Sequence, residues 1–193
     1  MPDMPDFKSP EFVWLGLVSL FQFAQKYTAA LKAYGEIFGD EGAENAFIDT
    51  SHEALWRQLM SELSKIYDRA QICGSDNLSI NMLRNLCLEH PCFTKEENNA
   101  TILALDGLQT RYEELLSKNL RNKKLAHYDL ISAFTQEAPA IPFSKVEQFV
   151  IDTGEALAMV GNNLFFGELL MKYEELAKVY QKDLRSLMKT ETI

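Results

Sequence analysis

Apolar residues recur every three or four positions along nearly the whole chain, and no run alternates convincingly with a period of two. A period near that of the α-helix puts those side chains on one face, which must then be buried against another helix. The stretch with Leu55, Leu59, Leu63, Ile66 and Ala70 shows it clearly. Ser9-Pro10-Glu11 reads as a helix start, with Ser9 as N-cap and Pro10 at the first helical position, and that helix should run to about Phe38, before Gly39. A loop or short helix is expected from Asp40 to Asp49. Thr50 with Glu53, Thr94 with Glu97, and Ser144 with Glu147 have capping-box spacing, so each pair is expected to open a helix. The first of these helices should end near Cys73-Gly74, and Ser79 should cap a shorter helix with Met82, Leu83 and Leu86 that stops before Pro91.

The helix from Thr94 carries Ile102, Leu105, Leu108, Tyr112, Leu115 and Leu116. Its pattern turns polar and basic from Ser117 to Lys124, then resumes through Leu125, Leu130, Ile131 and Phe134 up to Pro139 and Pro142. The helix after Ser144 should reach about Phe165, and a last one after Gly167 carries Leu170, Tyr173, Leu176, Val179 and Leu184. The expected fold is all-α, an antiparallel helical bundle of about six helices. It forms a single domain over residues 11–193 behind a mobile tail, residues 1–10, that holds Pro2, Pro5 and Pro10.

The formal net charge of −9 means that the overall field repels nucleic acid, which argues against a high-affinity non-specific RNA coat. Any RNA binding must use a local basic patch. The three cysteines, Cys73, Cys87 and Cys92, follow no secretory signal, and a reduced cytoplasmic compartment fits them best. The apolar run from Phe12 to Ala24 is broken by Gln22, Gln25 and Lys26, short of the roughly 20 residues of a membrane helix. It reads as a buried helix, and no membrane association is expected. Phe12, Trp14, Phe21, Phe23 and Tyr27 make that helix broad enough to bury one face against a second protomer.

One segment looks built for chemistry: Leu120-Arg121-Asn122-Lys123-Lys124-Leu125-Ala126-His127-Tyr128-Asp129. A neutral imidazole can take the proton from a ribose 2′-hydroxyl. A guanidinium can hold phosphoryl oxygens and stabilise the charge that grows on them. Arg121 and His127 could therefore cleave RNA with no metal or other cofactor. Asp129 or Asn122 could fix the imidazole tautomer. Lys118, Lys123 and Lys124 make the segment locally basic, and no acid occurs from Leu116 to Tyr128. The same chain holds a decoy of identical spacing, Arg84-Asn85-Leu86-Cys87-Leu88-Glu89-His90, on an amphipathic helix; its Arg and His read as structural. Asp68 could pair with Arg121 or with another helix, or sit in a local helix-surface pair with Lys65 or its neighbours, and the structural role is favoured. Cys87, His90 and Cys92 do not have the spacing of a paired zinc site, and buried cysteines are the expected outcome.

Arg, a polar residue, then His a few positions on resembles the signature of the HEPN superfamily. Leu63-Ser64-Lys65-Ile66-Tyr67-Asp68-Arg69, then Asn77-Leu78-Ser79-Ile80, then Arg121 through Asp129 resemble, in the same order, its AbiU-like abortive-infection branch, from about Tyr34 to Phe166. The resemblance implies a helical, metal-independent endoribonuclease, usually dimeric, in which each protomer lends Arg and His to a shared cleft. It implies a 2′,3′-cyclic phosphate product and a place in bacterial phage defence or toxin–antitoxin biology, with an antitoxin or regulatory protein as a further partner. By position, Arg121 and His127 are the catalytic pair and Asn122 the polar residue after Arg. Some relatives carry Tyr two places after His, where a partner enzyme can modify it; here Tyr128 is one place after and Asp129 two. Some HEPN domains bind without cleaving, so a non-catalytic RNA- or protein-binding module is the alternative, and a purely structural helical dimer a further one. On a straight helix Arg121 and His127 would lie roughly 120° apart. They reach one phosphate only if the helix breaks or a second chain completes the site.

Overall fold

The computed structural model describes residues 8–39, 46–72, 75–93, 99–115, 141–164 and 173–190. The fold is all-α. Six α-helices are described: α1 (Pro10–Phe38), α2 (Ala46–Ile66), α3 (Ile80–Glu89), α4 (Asn99–Leu115), α5 (Phe143–Asn163) and α6 (Tyr173–Thr190). Between α2 and α3 lies a minimal antiparallel ladder of β1 (Gln71–Ile72) and β2 (Ser75–Asp76), with Gln71 opposite Asp76. No helix among the described residues is long and apolar enough to cross a membrane.

Helix α1 starts where its sequence signals place it. The Ser9 hydroxyl accepts from the Phe12 N–H, Pro10 occupies the first turn, and Gly39 ends the helix at a positive φ of 62°. Its buried stripe of Val13, Trp14, Leu17, Val18, Phe21 and Ala24 lines the core. Ser79 caps α3 by accepting from the Met82 N–H, and α3 stops at Glu89, ahead of a 3-10 turn at Pro91–Phe93.

Two capping boxes and one helix end differ from expectation. Thr50 and Glu53 lie inside α2, which already runs from Ala46. There Glu53 pairs with Arg57 one turn on, and Ser51 donates back to the Phe47 carbonyl. The N-cap of α5 is Pro142, whose ring has no acceptor to offer; Ser144 already lies inside the helix, and Glu147 is held by Lys32 and Tyr173. Helix α2 ends at Ile66, and the Asp68 carboxylate accepts from the Arg69 N–H just after it, a local bond that competes with helical pairing. The Thr94–Glu97 box lies outside the described residues. Among the residues of α6 whose burial is described, only Tyr173 is buried, and Val179 is 51% exposed, so that helix lies on the outside of the bundle.

Neighbouring helices run antiparallel, as specific contacts show. Tyr34 near the end of α1 stacks on His52 near the start of α2, with ring centroids 4.1 Å apart. The α1–α5 seam is pinned at one end by the Trp14 indole N–H, which donates to the Leu157 carbonyl at 2.7 Å. At the other end Lys32 donates to Glu147, also at 2.7 Å. Arg84 to Asp106 and Asn81 to Gln109 set α3 against α4.

Candidate functional site

Helices α4 and α5 form an antiparallel pair. Asn163 donates to Thr101 at one end of the pair. Toward the other, Arg111 is ion-paired with Asp152 and its guanidinium lies over the Phe149 ring. One residue on, Tyr112 faces Phe149 and stacks on Tyr67 of the α2–β1 connection, with ring centroids 4.8 Å apart. The last residue of α4, Leu115, and the residues that lead into α5, Ile141 and Phe143, pack at the margin of the core, where the Phe143 ring meets Trp56 of α2. Both attachment points of the 116–140 segment therefore lie at one end of the bundle, on a rigid aromatic and ionic frame.

The bonds in this frame have a definite direction. Thr153 donates to the Phe149 carbonyl at 2.7 Å, so its hydroxyl proton is used. Tyr67 must then be the donor in the 2.6 Å Tyr67–Thr153 bond. Burial pushes the Tyr67 hydroxyl far above its ordinary range, so it stays protonated and structural. The Tyr112 hydroxyl is buried and has no hydrogen-bond partner among the described residues. Beside the frame, Glu147 accepts from both Lys32 and Tyr173. The bond to Glu147 raises the Lys32 ammonium, although burial opposes it. Burial first, and then Glu147, raises the Tyr173 phenol.

Arg121, Asn122, His127 and Asp129 lie outside the described residues, as do Lys118, Lys123 and Lys124. In sequence they fall between Leu115, the last residue of α4, and Ile141. Asp68 is described. Its carbonyl accepts from Asn81, which also donates to Gln109 of α4, and Gln109 in turn donates to Glu113. Asp68 is thus tied to the last turns of α4. Lys65 pairs with Glu62 rather than with Asp68.

The first two blocks of the sequence signature touch one another. Leu63, Ile66 and Tyr67 are core residues, Asn77 donates to the Arg69 carbonyl, Ser79 caps α3 and Ile80 is buried. The third block, Arg121 to Asp129, lies outside the described residues.

The decoy pair is structural. Arg84 makes a two-pronged bond to Asp106 at 2.8 and 3.2 Å, a strut between α3 and α4. His90 ends α3, accepts from the Cys92 N–H and lies 3.4 Å from Glu11 of α1. Burial lifts the Cys87 thiol to about 12, so it is an unreactive apolar filler. Among the described residues no group of three His, Cys, Asp or Glu side chains could hold a metal. The Arg111–Asp152 pair and the Lys32–Glu147–Tyr173 cluster were not evident in the sequence, since their partners lie on different helices and share no local motif.

Compared with known proteins, the chain matches the family model HEPN_AbiU2, described as AbiU2, over residues 22–187. No curated protein matches it. No solved structure matches it either.

Proposed function

Because this chain belongs to the AbiU2 family of HEPN domains, an abortive-infection type, we propose that it is a metal-independent endoribonuclease acting in bacterial defence or toxin–antitoxin biology. The observation that carries the reading is the family match over residues 22–187, which encloses Arg121-Asn122 and His127 in one locally basic stretch. In this mechanism neutral His127 takes the proton from a ribose 2′-hydroxyl. The 2′-oxygen attacks the adjacent phosphorus, the P–O5′ bond breaks, and the imidazolium returns its proton to the departing 5′-oxygen. The products are a 2′,3′-cyclic phosphate and a 5′-hydroxyl. Arg121 stabilises the charge on the phosphoryl oxygens at the point of bond exchange. Asn122 and Asp129 orient the imidazole, while Lys118, Lys123 and Lys124 hold the RNA backbone. Asp68, whose backbone carbonyl is linked to α4 through Asn81, is given a supporting role.

The site is proposed to be shared by two protomers, which lets Arg121 and His127 converge despite their separation around a helix. Cleavage of RNA in EDTA, compared between wild type and the His127→Ala and Arg121→Ala variants, tests this reading. Wild type should cut and both variants should lose at least about a hundredfold in rate. Equal absence of cleavage in all three would leave the alternative, a non-catalytic module that binds RNA or a protein.

A further inference from the structure

Helix α6 is amphipathic in an unusual sense for this acidic chain. Tyr173 is buried, and Leu176, Tyr180 and Leu184 are half-buried, all on one side of the helix. Lys178, Lys182 and Arg185 are exposed and fall within about 60° of one another on the opposite side. The same spacing continues in the sequence to Lys189. Tyr173 is bonded to Glu147, and Gln181 donates to Glu36 of α1 at 2.7 Å, so the helix is fastened with its basic face outward.

A row of cations on a helix is usually a solvated face laced with local ion pairs. Here those pairs are missing. Glu174 and Glu175 stand four and three residues ahead of Lys178, yet among the described residues none of the three cations pairs with a carboxylate. The chain carries a net charge of −9, and it keeps these cations aligned and unneutralised. Successive charges stand about 6 and about 4.5 Å apart along the axis. A small anion needs donors that converge on it. A straight row of single charges instead follows an extended polyanion. A lipid surface is the weaker fit, because the apolar face that would insert is turned into the bundle.

We propose that the outer face of α6 is a second RNA-binding surface, on which Lys178, Lys182 and Arg185 grip successive phosphates of a single strand. The inference rests on the reading of the protein as one that acts on RNA, and it adds a backbone contact remote in sequence from Arg121 and His127. The grip is sequence-tolerant, since it reads phosphate and not base edges.

The test is fluorescence anisotropy with a labelled single-stranded oligoribonucleotide of mixed sequence, in the His127→Ala background so that the probe stays intact. The variant K178Q/K182Q/R185Q should bind about tenfold or more weakly at about 50 mM salt, and its log–log salt slope should be shallower by about 2, near 0.7 for each lost contact. The charge-preserving variant K178R/K182R/R185K should keep both affinity and slope, as should Lys65→Gln, whose cation is already paired. Circular dichroism shows whether the helices persist. Unchanged affinity and slope in the neutralised variant overturn the proposal, as does binding of the parent to anionic vesicles but not to RNA. Cleavage assays separate it from the catalytic reading. Protein that binds through α6 but never cuts leaves this proposal standing alone; protein that cuts while the α6 variant binds as its parent does leaves only the other.

Discussion

The α1–α5 seam can be probed by adding one methyl group. Gly161 sits in α5 directly against Trp14, and a Cβ there would overlap the indole Cζ2 and lie 3.0 Å from Cε2 and Cη2. The ring cannot step aside freely: it is 1% exposed and its N–H is bonded to Leu157 at 2.7 Å. Overpacking of this kind costs about 1–3 kcal/mol. Breaking the indole bond to make room adds about 1 kcal/mol. The gain in helix propensity from Gly to Ala returns at most about 1 kcal/mol, less this close to a helix end. Gly161→Ala should therefore destabilise by about 1–3 kcal/mol net, a fall in Tm of about 3–10 °C for a chain of this size. Gly107 of α4 is the control, because nothing lies within 4 Å of its added Cβ. Gly107→Ala should stabilise by about 0.5–1 kcal/mol. Urea titration of both variants, read by tryptophan fluorescence and far-UV dichroism, measures the difference. If both substitutions move the midpoint in the same direction, the close packing of Trp14 on α5 is wrong.

Further outcomes follow from the buried hydroxyls and from His52. Tyr67→Phe removes the donor to Thr153 and should cost about 1–2 kcal/mol, whereas Tyr112→Phe removes a hydroxyl with no described partner and should be neutral or stabilising; chemical denaturation distinguishes the two. His52 is held below its ordinary imidazole range chiefly by burial, against the opposing pull of Asp49 and Glu53. With a folded-state pKa below the unfolded one, its contribution is fully present above the unfolded value near 6.5 and is lost as pH falls through the folded one. The Tm advantage of wild type over His52→Gln should therefore be larger at about pH 7.5 than at about pH 5.5; an advantage that grows toward acid would contradict it. Glu147→Gln weakens the ties of both Lys32 and Tyr173, so amide exchange in the first turn of α6 should quicken by more than that in the middle of α5.

Much of this architecture is legible in the sequence because it rests on local chemistry. Ser9, Pro10 and Gly39 bound α1, Ser79 and Pro91 bound α3, and the periodic Leu and Ile residues of α2 and α4 mark their buried faces. Misreadings arise where a distant partner wins. Glu147 has capping-box spacing from Ser144, but Lys32, 115 positions away, takes its carboxylate. Thr50 and Glu53 match the same motif inside a helix, where two residues of suitable type fall at that spacing without capping anything. The apolar positions of α6 look like core, yet Val179 faces solvent, since a helix on the outside of a bundle buries only part of its stripe. For the candidate site, Arg121, Asn122 and His127 are expectations from residue types and family pattern that lie outside the described residues, while the bond from Asn81 to Gln109 and the partner of the Tyr67 ring, Tyr112, belong to no local motif, since each joins different elements.

Identification of the RNA ends tests the central claim most directly. Purified protein should cut single-stranded RNA in EDTA to fragments with 2′,3′-cyclic phosphate and 5′-hydroxyl ends, and His127→Ala should make neither. Fragments with 5′-phosphate and 3′-hydroxyl ends, or cleavage that survives the loss of His127, would contradict it.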